Sequence, residues 1–361
     1  MAEALKDMFG KRFYQQLAME LNKVDGRVHA KNFVNDVTKN MDNLSLNERL
    51  RNTTVVMKRH LPNDYKKAVE VLKMVAPSFK STYTALIFPD FVGQYGHDDV
   101  ALSLECLKYF TQFGSSEFAI REFLKRDFKG TIKVMNTWAE DKNHHVRRLA
   151  SEGCRGRLPW SFNLEEVMKN PSVTKSILEK LKADKELYVK KSVANHLNDF
   201  SKNHSDYLIS VLKAWDNTNE HTAWIIKHAS RTLIKKGDKN SLALFNFEKN
   251  VKIKVSELVL NKSKIKLGEQ LVFKFDVSSE KITKQKLVID FAVHYVKNSG
   301  ELIPKVFKLK EIELAPKQTV SISKAHWFKD FTTRTHYPGI HSVEVLINGE
   351  KYQKKDFRLS I

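Results

Sequence analysis

The period of the apolar residues changes near residue 250, and one secondary structure cannot satisfy both periods. Before that point apolar side chains recur every three or four residues, as in Phe118, Ile120, Phe123 and Leu124, or Leu187, Val189, Val193 and Leu197. That spacing gathers them on one face of a helix. After it, β-branched and aromatic residues alternate with polar ones. The segments 271–277, 287–295 and 342–347 read as strands, and Asn348-Gly349 reads as a hairpin turn. About seven strands are expected there, enough for an immunoglobulin-like sandwich. No cysteine pair lies in that region, so its core must hold without a disulfide.

The helical part carries an internal repeat. Asp141-Lys-Asn-His-His-Val146-Arg-Arg resembles Asp184-Lys-Glu-Leu-Tyr-Val189-Lys-Lys, and a third copy places Trp224 at the valine position. Spacings near 40 residues with paired helices suit HEAT-like repeats, whose stacked units leave one concave surface. The expected fold is therefore an all-α HEAT-like repeat solenoid over residues 1–248, followed by an all-β immunoglobulin-like sandwich over residues 252–361. Residues before about 110 are expected to form a helical cap. On the concave surface Arg148 should lie beside Lys191, and Glu152 beside Asn195 and Ser230. Lys191, Asn195 and Asp199 share one helix face.

Lysine and arginine number 62 against 42 aspartates and glutamates, a formal charge of +20 in 361 residues. That balance favours a polyanionic partner, nucleic acid before an anionic membrane. Cys106 and Cys154 form no CxxC pair and suit a reducing compartment. The N-terminus lacks the apolar stretch of a signal peptide, and no run reaches the length of a membrane span. A cytoplasmic protein is expected. The histidines form no HExxH, and neither GxxxxGK nor GxGxxG occurs, so no metal or cofactor is expected.

The run from His144 to Trp160 concentrates the remaining signals. It reads as a cationic helix that Gly153 and Gly156 end, with Pro159 holding the chain extended before Trp160. A basic helix and a fixed aromatic can grip a nucleic-acid backbone and probe a base. The plainer reading makes Trp160 a core residue, like Trp138, Trp215 and Trp224. Arg147, Arg148, Lys190, Lys191 and Arg231 could be ordinary solvated charges. Their recurrence in matching repeat positions favours a phosphate-facing stripe.

Gly114-Ser115-Ser116-Glu117 reads as a helix start, with a serine as N-cap and Glu117 in the first turn. There the helix dipole keeps the carboxylate ionised. Asp199 falls late in its helix, where the dipole disfavours an acid, unless Lys191 or Lys202 pairs with it. Glu152 is placed to pair with Arg148 at i, i+4.

Three runs together carry a resemblance to a known family: Ser115-Ser-Glu-Phe-Ala-Ile-Arg121, Val146-Arg-Arg-Leu-Ala-Ser-Glu-Gly153 with the later Arg-Leu-Pro-Trp160, and Ser192-Val-Ala-Asn-His-Leu-Asn-Asp199. They resemble the AlkC branch of the HEAT-like alkylpurine DNA glycosylases over residues 1 to about 245. The β region resembles the immunoglobulin-like extension of some members. The resemblance implies a monofunctional DNA glycosylase that excises 3-methyladenine and 3-methylcytosine from duplex DNA without a deep base-flipping pocket. It implies Glu117 and Asp199 as carboxylates near the damaged nucleotide, with Trp160 on the deoxyribose or backbone. Arg121, Arg147, Arg148, Glu152, Lys190, Lys191, Asn195 and Arg231 would form the DNA-binding surface, joined by Arg334 from the sandwich. Alkylated double-stranded DNA is the expected partner of a monomer. The alternative is a non-catalytic HEAT-repeat protein that binds DNA structures or an acidic protein.

Overall fold

The computed structural model describes residues 5–79, 83–238, 242, 243, 245, 247, 251–330 and 335–361. Fifteen α-helices precede nine strands among the described residues, an all-α HEAT-like part followed by an all-β immunoglobulin-like part. The chain divides into two compact units, residues 1–208 with 215–229, and residues 209–214 with 230–361. No described helix is long and apolar enough to cross a membrane.

In the first unit, short polar side chains start the helices. Asp64, Asp99, Asp127 and Asn143 each accept a backbone N–H of the first turn. The repeat has a physical basis at its first two copies. Asp141 accepts the N–H of Asn143 at 2.8 Å, and Asp184 accepts that of Glu186 at 2.9 Å. Each turn launches a helix, His144–Glu152 and Leu187–Asp199, with Val146 and Val189 fully buried.

The third copy differs from the expected register. Asn219 caps the helix Glu220–Ala229 through the His221 N–H at 3.0 Å, as Asn143 caps its own through His145 at 2.9 Å. Counting from these caps puts Thr222, not Trp224, at the buried valine position. Two residues along a helix is about 200° of rotation, which carries Trp224 off the core face. Trp224 is half-buried, stacked on His228 with ring centroids 3.6 Å apart and covered by the Lys190 ammonium. Trp138 and Trp215 do lie in the core.

In the second unit, β1 (Ile253–Val255), β2 (Val259–Leu260), β3 (Lys264–Lys266), β4 (Gln270–Ser279), β5 (Gln285–Val296), β6 (Leu302–Leu314), β7 (Thr319–Trp327), β8 (Gly339–Ile347) and β9 (Glu350–Ser360) form two sheets. In one, β4 pairs with β1, β2 and β7; the other runs β3-β9-β8-β5-β6. Alternate residues of β4 (Leu271, Phe273, Phe275, Val277) meet those of β5 (Leu287, Ile289, Phe291, Val293) in one core, as period-two patterning requires. Asn348 and Gly349 take φ of 50° and 79° and close the β8–β9 hairpin.

The strand β5 is buried on both faces. Leu242 and Phe247 pack on Val288, and Asp290 beside it is 2% exposed, its Oδ1 lacking a partner among the described residues. Burial pushes the Asp290 carboxyl up to about 6, against the pull of Lys235 and Lys308. A carboxyl raised on folding contributes most below its unfolded pKa and loses that contribution as pH rises through 6. Asp290→Asn should therefore gain about 2–3 kcal/mol over wild type at pH 7.5, a gain that shrinks steadily toward pH 4. Urea unfolding at the two pH values checks this, and an equal gap at both would refute it.

Candidate active site

Five side chains make a continuous row of alternating charge. Glu117 pairs with Arg148, whose guanidinium also reaches Glu152 at 3.6 Å across one helical turn. Glu152 accepts from Arg155 at 2.6 Å. Arg155 then grips Asp199 bidentately, Nε to Oδ2 at 2.9 Å and Nη2 to Oδ1 at 3.1 Å. Every member is at least four-fifths buried at its side chain. Burial favours the neutral form of Glu152, but Arg148 and Arg155 more than offset it and hold its carboxyl below the usual range. Burial pushes the Asp199 carboxyl up, opposed by Arg155. Burial likewise works against the charge of Arg155, and Asp199 and Glu152 raise it well above its ordinary value.

Local sequence explains how each member arrives. The helix Ala119–Arg126 begins two or three residues later than expected, with Phe118 rather than Ser115 or Ser116 at its N-cap. Glu117 thus sits in the turn ahead of the helix rather than in its first turn. Ser115 fixes it there: the Ser115 hydroxyl donates to Glu117 Oε2 at 2.7 Å and accepts from Arg148 at 2.6 Å. Both bonds to the Glu117 carboxylate fall on Oε2. Ser116 is buried and donates to the Leu107 carbonyl at 2.8 Å. Gly153 ends the arginine-bearing helix, as expected.

Trp160 is 71% exposed, which overturns the core reading. It also carries a φ of 64°, in the left-handed region that bulky residues avoid. Ser161 N donates to Leu158 O at 3.3 Å, closing a turn with Pro159 second and Trp160 third. A type II turn has this form and normally places glycine third. Trp160, Tyr83, Tyr188, Glu117, Arg148 and Glu152 line a cleft of about 550 Å³. Tyr188 lies under the Arg148 guanidinium at 4.8 Å, and Tyr83 meets the Trp160 ring edge-on at 6.4 Å. The result is a pair of carboxylates in an aromatic frame, open to solvent, suited to a flat cation.

A family model described as DNA alkylation repair enzyme matches residues 99–233, which contain the whole row and Trp160. A second, the C-terminal Ig-like domain of the uncharacterised protein YhaZ, matches residues 254–361. The uncharacterized protein YhaZ of Bacillus subtilis strain 168 is 45% identical over 316 residues, 88% of either chain. The structure of Pseudomonas fluorescens alkylpurine DNA glycosylase AlkC, bound to DNA containing an abasic site analog, is 43% identical with a TM-score of 0.96. That match covers 99% of this chain and 100% of the other.

This chain belongs to the AlkC family. Within that AlkC-type framework the expected site residues separate into groups. Glu117, Glu152, Arg148 and Trp160 meet at one cleft. Asp199 does not line that cleft; Arg155 links it to Glu152. Arg155 is the residue that sequence reasoning missed. Its i, i+3 spacing from Glu152 was visible, but its pairing with Asp199 was not.

The expected DNA-binding stripe is corrected at two positions. Arg121 is fully buried and bonds backbone carbonyls, so it presents nothing to a phosphate. Arg147 ties one repeat to the next, through Asp184 at 2.6 Å and the carbonyls of Asp141 and Lys142 at 2.9 and 3.0 Å. Lys191 and Arg231 are exposed, and Lys190 and Asn195 are half-buried. Arg231 opens the helix Arg231–Lys235 in the second unit. Arg334 lies outside the described residues.

The turn makes a test of its own. Glycine accepts φ near 64° freely, whereas alanine adopts it at a cost. Trp160→Gly should be more stable than Trp160→Ala by about 1 kcal/mol, despite its looser unfolded chain. Thermal unfolding of the two variants checks this; equal midpoints would mean that the turn is unstrained.

Proposed function

We propose that this protein hydrolyses the N-glycosidic bond of cationic N-alkylated bases, 3-methyladenine and 3-methylcytosine, in double-stranded DNA, as a monofunctional glycosylase of base excision repair. One observation carries the reading. The carboxylates of Glu117 and Glu152 and the exposed ring of Trp160 share an open cleft, in a chain 43% identical over nearly its full length to a DNA-bound alkylpurine glycosylase. Residues 1–248 would hold and cut, with residues 252–361 as a separate sandwich domain.

The chemistry follows from charge. A base alkylated on a ring nitrogen is already positive, so it departs as a neutral molecule without protonation. The sugar becomes oxocarbenium-like as the C1′–N bond breaks, and an ionised carboxylate beside it stabilises that charge. Glu117 is the main candidate. Its Oε2 is fixed by Arg148 and Ser115, while Oε1 has no bond among the described residues and is available to the sugar or to an attacking water. Water adds to C1′ and its proton passes to the carboxylate or solvent. Glu152 supplies a second negative charge. Asp199 has a lesser role, exerted through Arg155 on the placement of Glu152. Trp160 packs on the deoxyribose or backbone. Lys190, Lys191 and Arg231 supply phosphate contacts, which makes binding salt-dependent. The shallow cleft suits a lesion that is not drawn into a deep pocket.

Single-turnover release of free base from methylated duplex DNA tests the reading. Glu117→Gln should slow release by about 100- to 1,000-fold, the scale of losing one preorganised electrostatic stabiliser, with DNA affinity nearly unchanged. Asp199→Asn should slow it less. No release by wild type at enzyme excess would leave a non-catalytic DNA-binding protein. Release unchanged in Glu117→Gln would remove Glu117 from the chemistry.

A further inference from the structure

Arg121 is completely buried, and its guanidinium points at backbone rather than at any carboxylate. Nη1 donates to the carbonyls of Gly153 at 3.1 Å and Arg155 at 2.7 Å, while Nη2 donates to the carbonyl of Phe162. The Phe162 ring lies 5.2 Å from the same guanidinium. These carbonyls bracket the turn that presents Trp160. Arg155, whose carbonyl accepts from Nη1, directs its own guanidinium to Glu152 and Asp199.

A bulky residue at positive φ persists only where its surroundings over-determine it. Here the backbone before and after Trp160 is tied to one rigid, planar donor set on the helix Ala119–Arg126. A second tie, Leu164 N to Gly156 O at 3.1 Å, closes the loop behind it. Placing a permanent cation in this interior is unfavourable, and burial pulls the Arg121 guanidinium down to about 10. An uncharged side chain would fill the volume without that penalty, so filling space does not account for the arginine.

We propose that Arg121 is the positioning residue for Trp160: by clamping the carbonyls of residues 153, 155 and 162 it fixes the strained turn and the angle at which the tryptophan meets the nucleotide. The clamp is a statement about the free protein. Its catalytic consequence rests on the reading above, in which Trp160 touches DNA.

The experiment separates the two. The full chain is labelled with 5-fluorotryptophan, giving five fluorine resonances for its five tryptophans. The Trp160 signal is assigned by its loss in Trp160→Phe. In Arg121→Lys, which keeps the charge but not the planar fork, the Trp160 signal should shift or broaden while the other four stay in place. Single-turnover base release should fall at least about tenfold, on the scale expected for a misplaced contact. Arg121→Lys combined with Trp160→Ala should be no slower than Trp160→Ala alone by more than about twofold, because the two act in series. An unmoved Trp160 signal, or losses that multiply in the double variant, overturns the proposal. Collapse of all five signals in both Arg121→Lys and Arg121→Gln makes Arg121 a folding residue and also overturns it. Absence of base release in wild type would refute the glycosylase reading, while the fluorine spectra would still decide the clamp.

Discussion

The alternating row from Glu117 to Asp199 is the constraint on which the helical unit depends. Its members come from the turn before one helix, from a second helix, from the loop after it and from the end of a third. The row closes only when those elements stack in register. Ions this buried are costly to take from water, and each is tolerated because opposite charges flank it. Removing one partner leaves its neighbour unpaired, so the row links the stacking of the repeats to the geometry of the cleft.

The same economy explains where the arginines go. Arg49 donates to the carbonyls of Lys6, Phe9, Met41 and Leu44, at 2.9 to 3.3 Å. Arg121 and Arg147 likewise bind carbonyls, and Arg148 and Arg155 bind carboxylates. Five arginines that count toward the net charge of +20 are therefore committed inside the fold. The guanidinium's fixed fork suits this internal use, whereas the flexible, strongly hydrated ammonium of lysine suits a surface. On the proposed reading, the basic face left for a polyanion includes exposed lysines such as Lys191.

The two-part architecture was legible because period alone decides it: β4 and β8 fall on the alternating segments, and the Asn348-Gly349 turn closes its hairpin. The first two repeats were legible because Asp141 and Asp184 make the same turn ahead of their helices. The third was not, because its register is set by the cap at Asn219 and not by the large apolar Trp224. In the site, Glu117 and Trp160 were visible as motif residues. Arg155–Asp199 was not, since partners 44 residues apart meet only through the exact superposition of two repeats. Arg121 looked like a surface cation because charge is read from sequence and depth is not.

The row also has a bearing on selectivity. Within the row three carboxylates face two guanidiniums, and two of those carboxylates, Glu117 and Glu152, share the cleft with Tyr83, Tyr188 and Trp160. A hydrophobic pocket rejects or accepts a single methyl group by only about 1–3 kcal/mol, too little to find rare lesions among ordinary bases. Charge does better. On the proposed reading, a cationic base gains attraction from the row and the aromatic faces, and the developing sugar cation gains more. A neutral base has neither gain and is a poor leaving group. Discrimination then needs no enclosing pocket, only a fixed negative charge and a fixed aromatic. That is why the arginines around the carboxylates matter as much as the carboxylates. They hold the carboxylates in one place beside the aromatic faces.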